Sequence, residues 1–415
     1  MNTENQRSSF LAILSDPVIR SLILVVFVVM TGLGIVLPTL ALYARSFGVG
    51  YSATGVLLGA FGFTRLFGDL GAGSLIAWKS ERWTGAAGML FLAICATVTG
   101  IAPNYPFAVI AWGCGGIGSA VVFASLFSYI LRAAPEGSTA RTLSYFFAAF
   151  NVGIIAGGAA GGILADRFGL AAPLFAYAGL LVAGAGLWMA TVPPLAPLAD
   201  SAEGSRRKLQ LREMLRIPGF PTAIVLNLTY LWVIVATFDT LIPLFAHDEL
   251  GASKAGVGVL YAIAVAAEFL VLFPAGSFAD RFGRKRVLVP GLAGLIVMIV
   301  VLPLTTSTIA LGALLVLFAF TTGFSGVPPA AVLSDVIPSE HSGRAVGYFR
   351  FCGDVGFFLG PLVAGASSSA FGFRAAFAIT AVLPVIALLL TLRTPETLKS
   401  SAKSPLSALP AGREA

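Results

Sequence analysis

At 415 residues the chain is 57% hydrophobic and only 11% charged, with a mean hydropathy of +0.92; a soluble domain carries roughly 25% charged residues. This excludes a water-soluble enzyme. The net charge of +7 does not indicate nucleic acid, because the basic residues are scattered among short segments between apolar runs rather than gathered on one face. The three cysteines, Cys95, Cys114 and Cys352, lie inside apolar runs with no disulfide or metal spacing. There is no phosphate-binding loop and no Ser/His/Asp or zinc-type cluster, so no catalytic residue, metal or cofactor is expected.

Residues 1–17 are a short polar segment without a cleavable signal. A membrane span needs about 20 apolar residues, and twelve are predicted near 18–42, 52–77, 84–102, 106–131, 141–166, 171–192, 220–246, 254–279, 287–304, 308–334, 344–369 and 373–393. Helices are expected throughout, because a spanning segment must satisfy its own backbone. Two six-span blocks result, 18–192 and 220–393. The linker 193–219 contains LQLREML, read as a short amphipathic helix on the membrane surface, and 394–415 reads as a disordered tail. Fourteen lysines and arginines fall in the loops on one side, among them Lys79, Arg132, Arg207 and Arg286. Four (Arg45, Arg167, Lys254, Arg374) fall on the other. That bias places the first set and both termini in the cytoplasm, and the protein in the inner or plasma membrane.

The chain repeats itself at an offset of 203 residues: Gly48 meets Gly251, Gly73-Ser74 meet Gly276-Ser277, Tyr145-Phe146 meet Tyr348-Phe349, and Phe168-Gly169 meet Phe371-Gly372. A parallel repeat of two halves is a transporter architecture with its substrate site between them. Between two apolar runs the second half carries Gly276-Ser277-Phe278-Ala279-Asp280-Arg281-Phe282-Gly283-Arg284-Lys285. The first-half copy looks degraded, with Ala77 in place of Asp280 and Trp78-Lys79-Ser80-Glu81-Arg82 in place of the basic run.

The pattern G-x-x-x-D-R-x-G-R-K resembles the loop signature of the major facilitator superfamily, and the resemblance covers about 20–395. It marks Gly276, Asp280, Arg281, Gly283, Arg284 and Lys285 as a conformational loop. It implies an all-α membrane protein of twelve helices in two pseudo-symmetric six-helix bundles. It also implies a small-molecule substrate carried by alternating access, protons as the coupling ion, and a monomer in the lipid bilayer. Within the family, twelve-span proton-coupled drug exporters are closest in pattern. Gly153–Gly162 resembles their glycine-rich fifth span, with Gly158 where that motif has proline; the proline, Pro361, stands in the second copy. Trp112 stands near where many relatives carry a buried arginine.

Ionisable residues inside a span are costly and mark function by default. Here they are Arg65, Asp69, Asp239, Glu268, Arg350 and Asp354. Both histidines fall outside the spans, so a proton carrier would have to be a carboxylate. Arg65/Asp69 and Arg350/Asp354 share an i, i+4 spacing that puts each pair on one helix face. Each pair could be satisfied within its own helix. In the resembled fold, spans two and eleven are instead antiparallel neighbours across the seam between halves. Depths then favour Arg65 with Asp354 and Asp69 with Arg350, closing the cytoplasmic side in the outward-facing state. Glu268, the repeat partner of Arg65, would face Asn151 of span five. Asp239 would lie toward the outer end of span seven, lining the cavity or facing water at its rim. Asn227, Trp112, Phe123, Trp232 and Phe324 complete the expected cavity, greasy with acids and suited to lipophilic cations. Two other readings are an importer of a metabolite such as a sugar or organic acid, and a non-transporting membrane receptor.

Overall fold

The computed structural model describes residues 16–134, 138–195, 211–337 and 342–398, which form helices and no strand. Most of the N-terminal segment, the linker stretch 196–210 and the tail beyond 398 lie outside the described residues. The first half comprises α1 (Pro17–Arg45), α2 (Tyr51–Lys79), α3 (Glu81–Gly100), α4 (Tyr105–Ala133), α5 (Thr139–Phe168) and α6 (Ala172–Thr191). The second comprises α7 (Phe220–Asp248), α8 (Lys254–Phe282), α9 (Arg284–Val301), α10 (Thr308–Val336), α11 (344–371) and α12 (373–393). Ten stretches are long and apolar enough to cross a membrane. The last, Arg344–Arg393, holds two crossings broken at Gly372, and α2, diluted by Arg65 and Asp69, adds one more. Twelve crossings result. The LQLREML segment contributes a single helical turn, Leu211–Met214, with Met214 buried.

Side-chain caps start several of these helices: Asp16, Asn104, Ser253 and Ser307 each accept a backbone N–H of the first turn, one of the four donors a helix start leaves unpaired. The repeat is visible in the backbone itself. Five glycines with positive φ fall in register at the 203-residue offset with a partner that also has positive φ: Gly48 with Gly251, Gly169 with Gly372, and Gly283 with Ser80. Ser80, at φ 79° and ψ 157°, occupies a region almost reserved for glycine, at a cost of about 1–3 kcal/mol. Ser80→Gly is expected to raise the melting temperature in detergent; an unchanged or lower value would mean that the turn tolerates serine without strain.

The tail is ordered further than expected. Glu396 accepts backbone N–H groups of Arg284 (2.9 Å) and Lys285 (3.1 Å) at the start of α9, where the helix dipole favours an anion. Burial works against its charge, but four backbone donors outweigh it and hold the carboxyl below its usual 4.5. A lowered value means the docking contributes fully above about pH 4.5 and is lost as pH falls below it. Tail proteolysis should therefore accelerate below pH 4.5 and not between pH 6 and 8; a flat profile would show that Glu396 does not hold the tail.

Small residues let helices touch backbone to backbone. Within the first half, Gly34 of α1 lies on Ile154 of α5. Between halves, α2 crosses α11 and α5 crosses α8. A Cβ on Gly258 would lie 2.6 Å from the Gly158 carbonyl, and one on Gly62 would lie 2.9 Å from Phe358 Cα. These contacts concentrate at the side opposite the basic loops, hereafter the far side. On α2 the far half exposes only a narrow stripe (Ser52, Val56, Phe63), whereas from Phe67 onward most positions are exposed. Gly71, Gly73 and Gly347 meet nothing within 4 Å. The halves are thus closed on the far side and open on the basic side.

Candidate functional site

A cavity of about 310 Å³ lies between the halves. Its second-half wall is built by α7 and α8. Val233–Leu241 of α7 is wound as a π-helix, and the Thr240 hydroxyl donates to the Val235 carbonyl five residues back (2.6 Å). Wide turns of this kind tend to occur at functional sites. This one presents Asp239, 4% exposed, to the cavity rather than to water at a rim. The Tyr261 hydroxyl donates to Asp239 (3.0 Å) and the Tyr230 hydroxyl donates to Glu268 (3.2 Å). Neither carboxylate makes an ion pair among the described residues. Phe238 packs on Tyr261 with centroids 4.4 Å apart.

The first-half wall carries donors instead of acids. Trp112 stacks on Phe61 (4.9 Å, 25°), and Arg65, Asn151 and Phe123 complete it. The Asn151 amide donates to the Phe147 carbonyl (2.8 Å). Glu268 is therefore served by Tyr230 and Thr322, not by Asn151 as expected.

Between the walls runs an ionic seam. Arg65 Nε lies 3.2 Å from Asp354, and Arg350 donates to Asp69 at 3.0 Å. These are the cross-helix pairings that depth favoured. Arg65 also lies over the Phe357 ring (5.8 Å) and Arg350 over Phe123 (5.3 Å). Arg65 is the middle residue of the 29-residue α2, so the seam sits near the fulcrum of the two halves. It is formed here with the far side closed and the basic side open. This corrects the expectation that the pairs shut the basic side, since charges near a pivot need not separate when the ends do.

Three expected cavity residues lie elsewhere. Asn227 donates to the Phe349 carbonyl (2.7 Å), and Trp232 Nε1 donates to the Thr380 carbonyl (3.1 Å); both fasten α7 to the α11–α12 segment. Phe324 stacks on Phe278 (6.1 Å). Each sits on a helix that does line the cavity or neighbours it, but on another face. In the loop motif, Arg284 binds Asp280 and reaches Asp335 at 3.0 Å, Lys285 donates to the Leu392 carbonyl (2.6 Å), and Arg281 lies over Phe282. Gly276 packs loosely on Val327, and Gly283 supplies the turn. All these contacts stay within the second half.

The first-half loop is not degraded but reversed in polarity. Glu81, 1% exposed, binds Arg132 at 2.6 Å, and these two are the repeat partners of Arg284 and Asp335. Motif reading missed the pair because it looked for the same signs; the offset would have found it. It would also have found the far-side contacts. Asp166 of α5 accepts the backbone N–H groups of Lys254 (3.1 Å) and Ala255 (2.9 Å) at the start of α8. Its repeat partner Ser369 accepts Ser52 N–H (2.9 Å) at the start of α2. Arg45 faces its own repeat partner Asp248 at 3.8 Å, and the Tyr51 hydroxyl donates to Asp248 (2.9 Å). Of the two equivalent caps only Asp166 is ionic, and charge-assisted bonds are about twice as strong. Asp166→Ala is expected to loosen the far side. A cysteine placed at Val265 in the cavity wall, in a background lacking the three native cysteines, should then react faster with an impermeant maleimide added from the far side. An unchanged rate would remove Asp166 from the closure.

A family model described as Major Facilitator Superfamily matches residues 22–267 and 237–413. The chain belongs to the major facilitator superfamily. Among characterised relatives, the quinolone resistance protein NorA of Staphylococcus aureus is 24% identical over 82% of this chain and 87% of its own length. The multidrug resistance protein MdtG of Yersinia enterocolitica is 25% identical over 84% and 86%. Among solved structures, a bacterial homolog of the human lysosomal transporter Spinster, inward-facing and unoccupied, superposes with a TM-score of 0.75 over 91% of this chain and 96% of its own, at 16% identity. As a major facilitator protein the chain is an integral membrane transporter and not an enzyme.

Proposed function

We propose that this transporter exports small amphipathic compounds in exchange for protons. The observation that carries the reading is the acidic wall: Asp239 and Glu268 are buried on the second-half side of a largely apolar chamber, Asp239 held by the Tyr261 hydroxyl and Glu268 by Tyr230 and Thr322, and neither is held by a cation among the described residues. A carboxylate so placed can be relieved by a proton or by a cationic substrate but not by both, and that competition is what an antiporter needs. The names of NorA and MdtG, resistance proteins both, support the same direction. With the basic side in the cytoplasm, the open cavity faces the cell interior and loads there as a monomer in the inner or plasma membrane. The seam pairs act as a pivot, with Arg65 joining it to the cavity. The importer reading loses support, because Asn227 is spent on α11 and few amide groups remain to recognise a sugar. A receptor that carries nothing is disfavoured by membership in a transporter family. Cells lacking their own exporters should accumulate less tetraphenylphosphonium when they produce this protein, and a protonophore should abolish the difference; equal accumulation would count against export.

A further inference from the structure

Among the described residues only Val233–Leu241, in the middle of α7, is wound as a π-helix. At nine residues it is long, since π-turns mostly occur as single bulges within α-helices. The Ile242 N–H donates to the Thr237 carbonyl and the Thr240 hydroxyl to the Val235 carbonyl, both five residues back. This winding leaves one polar group unserved: Thr237 is fully buried and its hydroxyl has no partner. In an α-helix a threonine hydroxyl at that place can bond the carbonyl four residues back, that of Val233. Two features oppose a return to α-winding. The Tyr261 hydroxyl holds Asp239 where the wide turn puts it (3.0 Å), and Pro243 has no N–H for the Asp239 carbonyl that an α-turn would bring to it. The segment thus carries opposed preferences, each on the scale of one hydrogen bond.

The flanks give the winding a consequence. On the basic side of the segment α11 packs against α7 backbone to backbone: a Cβ on Gly360 would lie 3.2 Å from the Trp232 carbonyl oxygen and 3.3 Å from Ala236 Cβ. That anchors one end. Beyond the other end, Asp248 faces Arg45 at 3.8 Å and accepts from the Tyr51 hydroxyl (2.9 Å), two of the contacts that close the far side. Nine π-wound residues fill about two turns, roughly 11 Å, whereas nine α-helical residues span about 13.5 Å. With its basic-side end anchored, rewinding would push Ile242–Asp248 outward by about 3 Å. It would also turn Asp239 by on the order of 100°, one residue's worth, toward the face that Thr240 now occupies.

We infer that Val233–Leu241 switches between π- and α-winding, and that this switch joins the cavity to the far-side closure. Wound as here, it aims Asp239 into the chamber and seats Asp248 on Arg45 and Tyr51. Wound as an α-helix, it satisfies Thr237, withdraws Asp239 and lifts Asp248 off its partners. Whatever breaks the Tyr261–Asp239 bond in the chamber therefore loosens the far side through α7 itself. A two-state element that both sites bias is what such coupling requires. The inference concerns how the cavity speaks to the closure, whichever way a substrate moves.

The test uses full-length protein in detergent, free of its three native cysteines, with spin labels on cysteines replacing Val225 and Glu249, one on each side of the segment. Pulsed dipolar spectroscopy reads the distance along α7. Tyr261→Phe should add a population about 3 Å longer. Adding Thr237→Val, which keeps the side-chain shape and removes the hydroxyl, should shrink that population about two- to tenfold, the scale of one hydrogen bond; Thr237→Ser should not. With a cysteine at Val265 instead of the labels, the rate of reaction with a far-side maleimide should rise and fall with the longer population. Asp248→Asn, which frees the outer end, gives the same readout if Tyr261→Phe does not fold. A single unchanged distance in every variant, or a longer one indifferent to Thr237→Val, would overturn the switch. A longer distance with an unchanged maleimide rate would overturn its link to the far side. Movement of tetraphenylphosphonium, measured separately, bears on the export reading and not on this one.

Discussion

Arg65→Gln and Asp354→Asn are each expected to destabilise the protein severely, and the exchange Arg65→Asp with Asp354→Arg to recover most of the loss. The Asp354 side chain is 4% exposed and that of Arg65 20%, and removing one partner of a buried pair costs about 3–5 kcal/mol, because the other charge stays behind in the dry interior. At 1.4 kcal/mol per factor of ten, that is about two to three and a half orders of magnitude in a two-state equilibrium. The second pair should matter less. Arg350 is 34% exposed, so solvent screens it, and Arg350→Gln should lower the melting temperature by a fraction of what Arg65→Gln does. The measurement is the melting temperature in detergent, together with the inter-half distance between spin labels on α2 and α11. Failure of the exchange to recover either one would mean that the two residues do not depend on each other across the seam.

Asp239→Asn and Glu268→Gln are expected to cut gradient-driven transport more than tenfold while leaving the fold intact. Each amide matches its acid in size and can still accept from Tyr261 or Tyr230, so the melting temperature should hold within a few degrees. What is lost is a site that can be charged or neutral. Exchange of labelled for unlabelled substrate, which needs no net proton movement, should survive in at least one of the two variants and so identify which acid carries the proton. Full gradient-driven transport in both variants would return these carboxylates to a structural role.

Much of this was legible because membrane physics constrains a sequence so tightly. Runs of about 20 apolar residues gave the twelve crossings, and the 203-residue offset gave the halves. The seam partners followed from spacing and depth only once the resemblance to the family set spans two and eleven side by side and antiparallel. What sequence could not supply was rotation about a helix axis. Asn227, Trp232 and Asp239 all lie on α7, and only the last faces the cavity. The π-helical turn re-aims Asp239, and nothing in the apolar stretch Val233–Leu241 announces the change of winding. Phe324 failed for the same reason, an aromatic on a cavity-side helix turned toward Phe278. The conformation was equally hidden. Residues that close the far side, Asp166 and Asp248, are ordinary loop-edge carboxylates until their repeat partners Ser369 and Arg45 are set beside them. Only the first residues of the tail, 394–398, proved ordered, because a single carboxylate, Glu396, finds four backbone donors; the rest lies outside the described residues.

The most direct test of proton-coupled export is made in proteoliposomes containing the purified protein and a pH-sensitive dye. A pH gradient is imposed, and tetraphenylphosphonium, a sugar and an organic acid are added in turn. Proton flux triggered by the amphipathic cation, opposite in direction to substrate movement and absent in Asp239→Asn or Glu268→Gln, is the predicted result. Substrate movement without proton flux, or protons and substrate moving the same way, would contradict it.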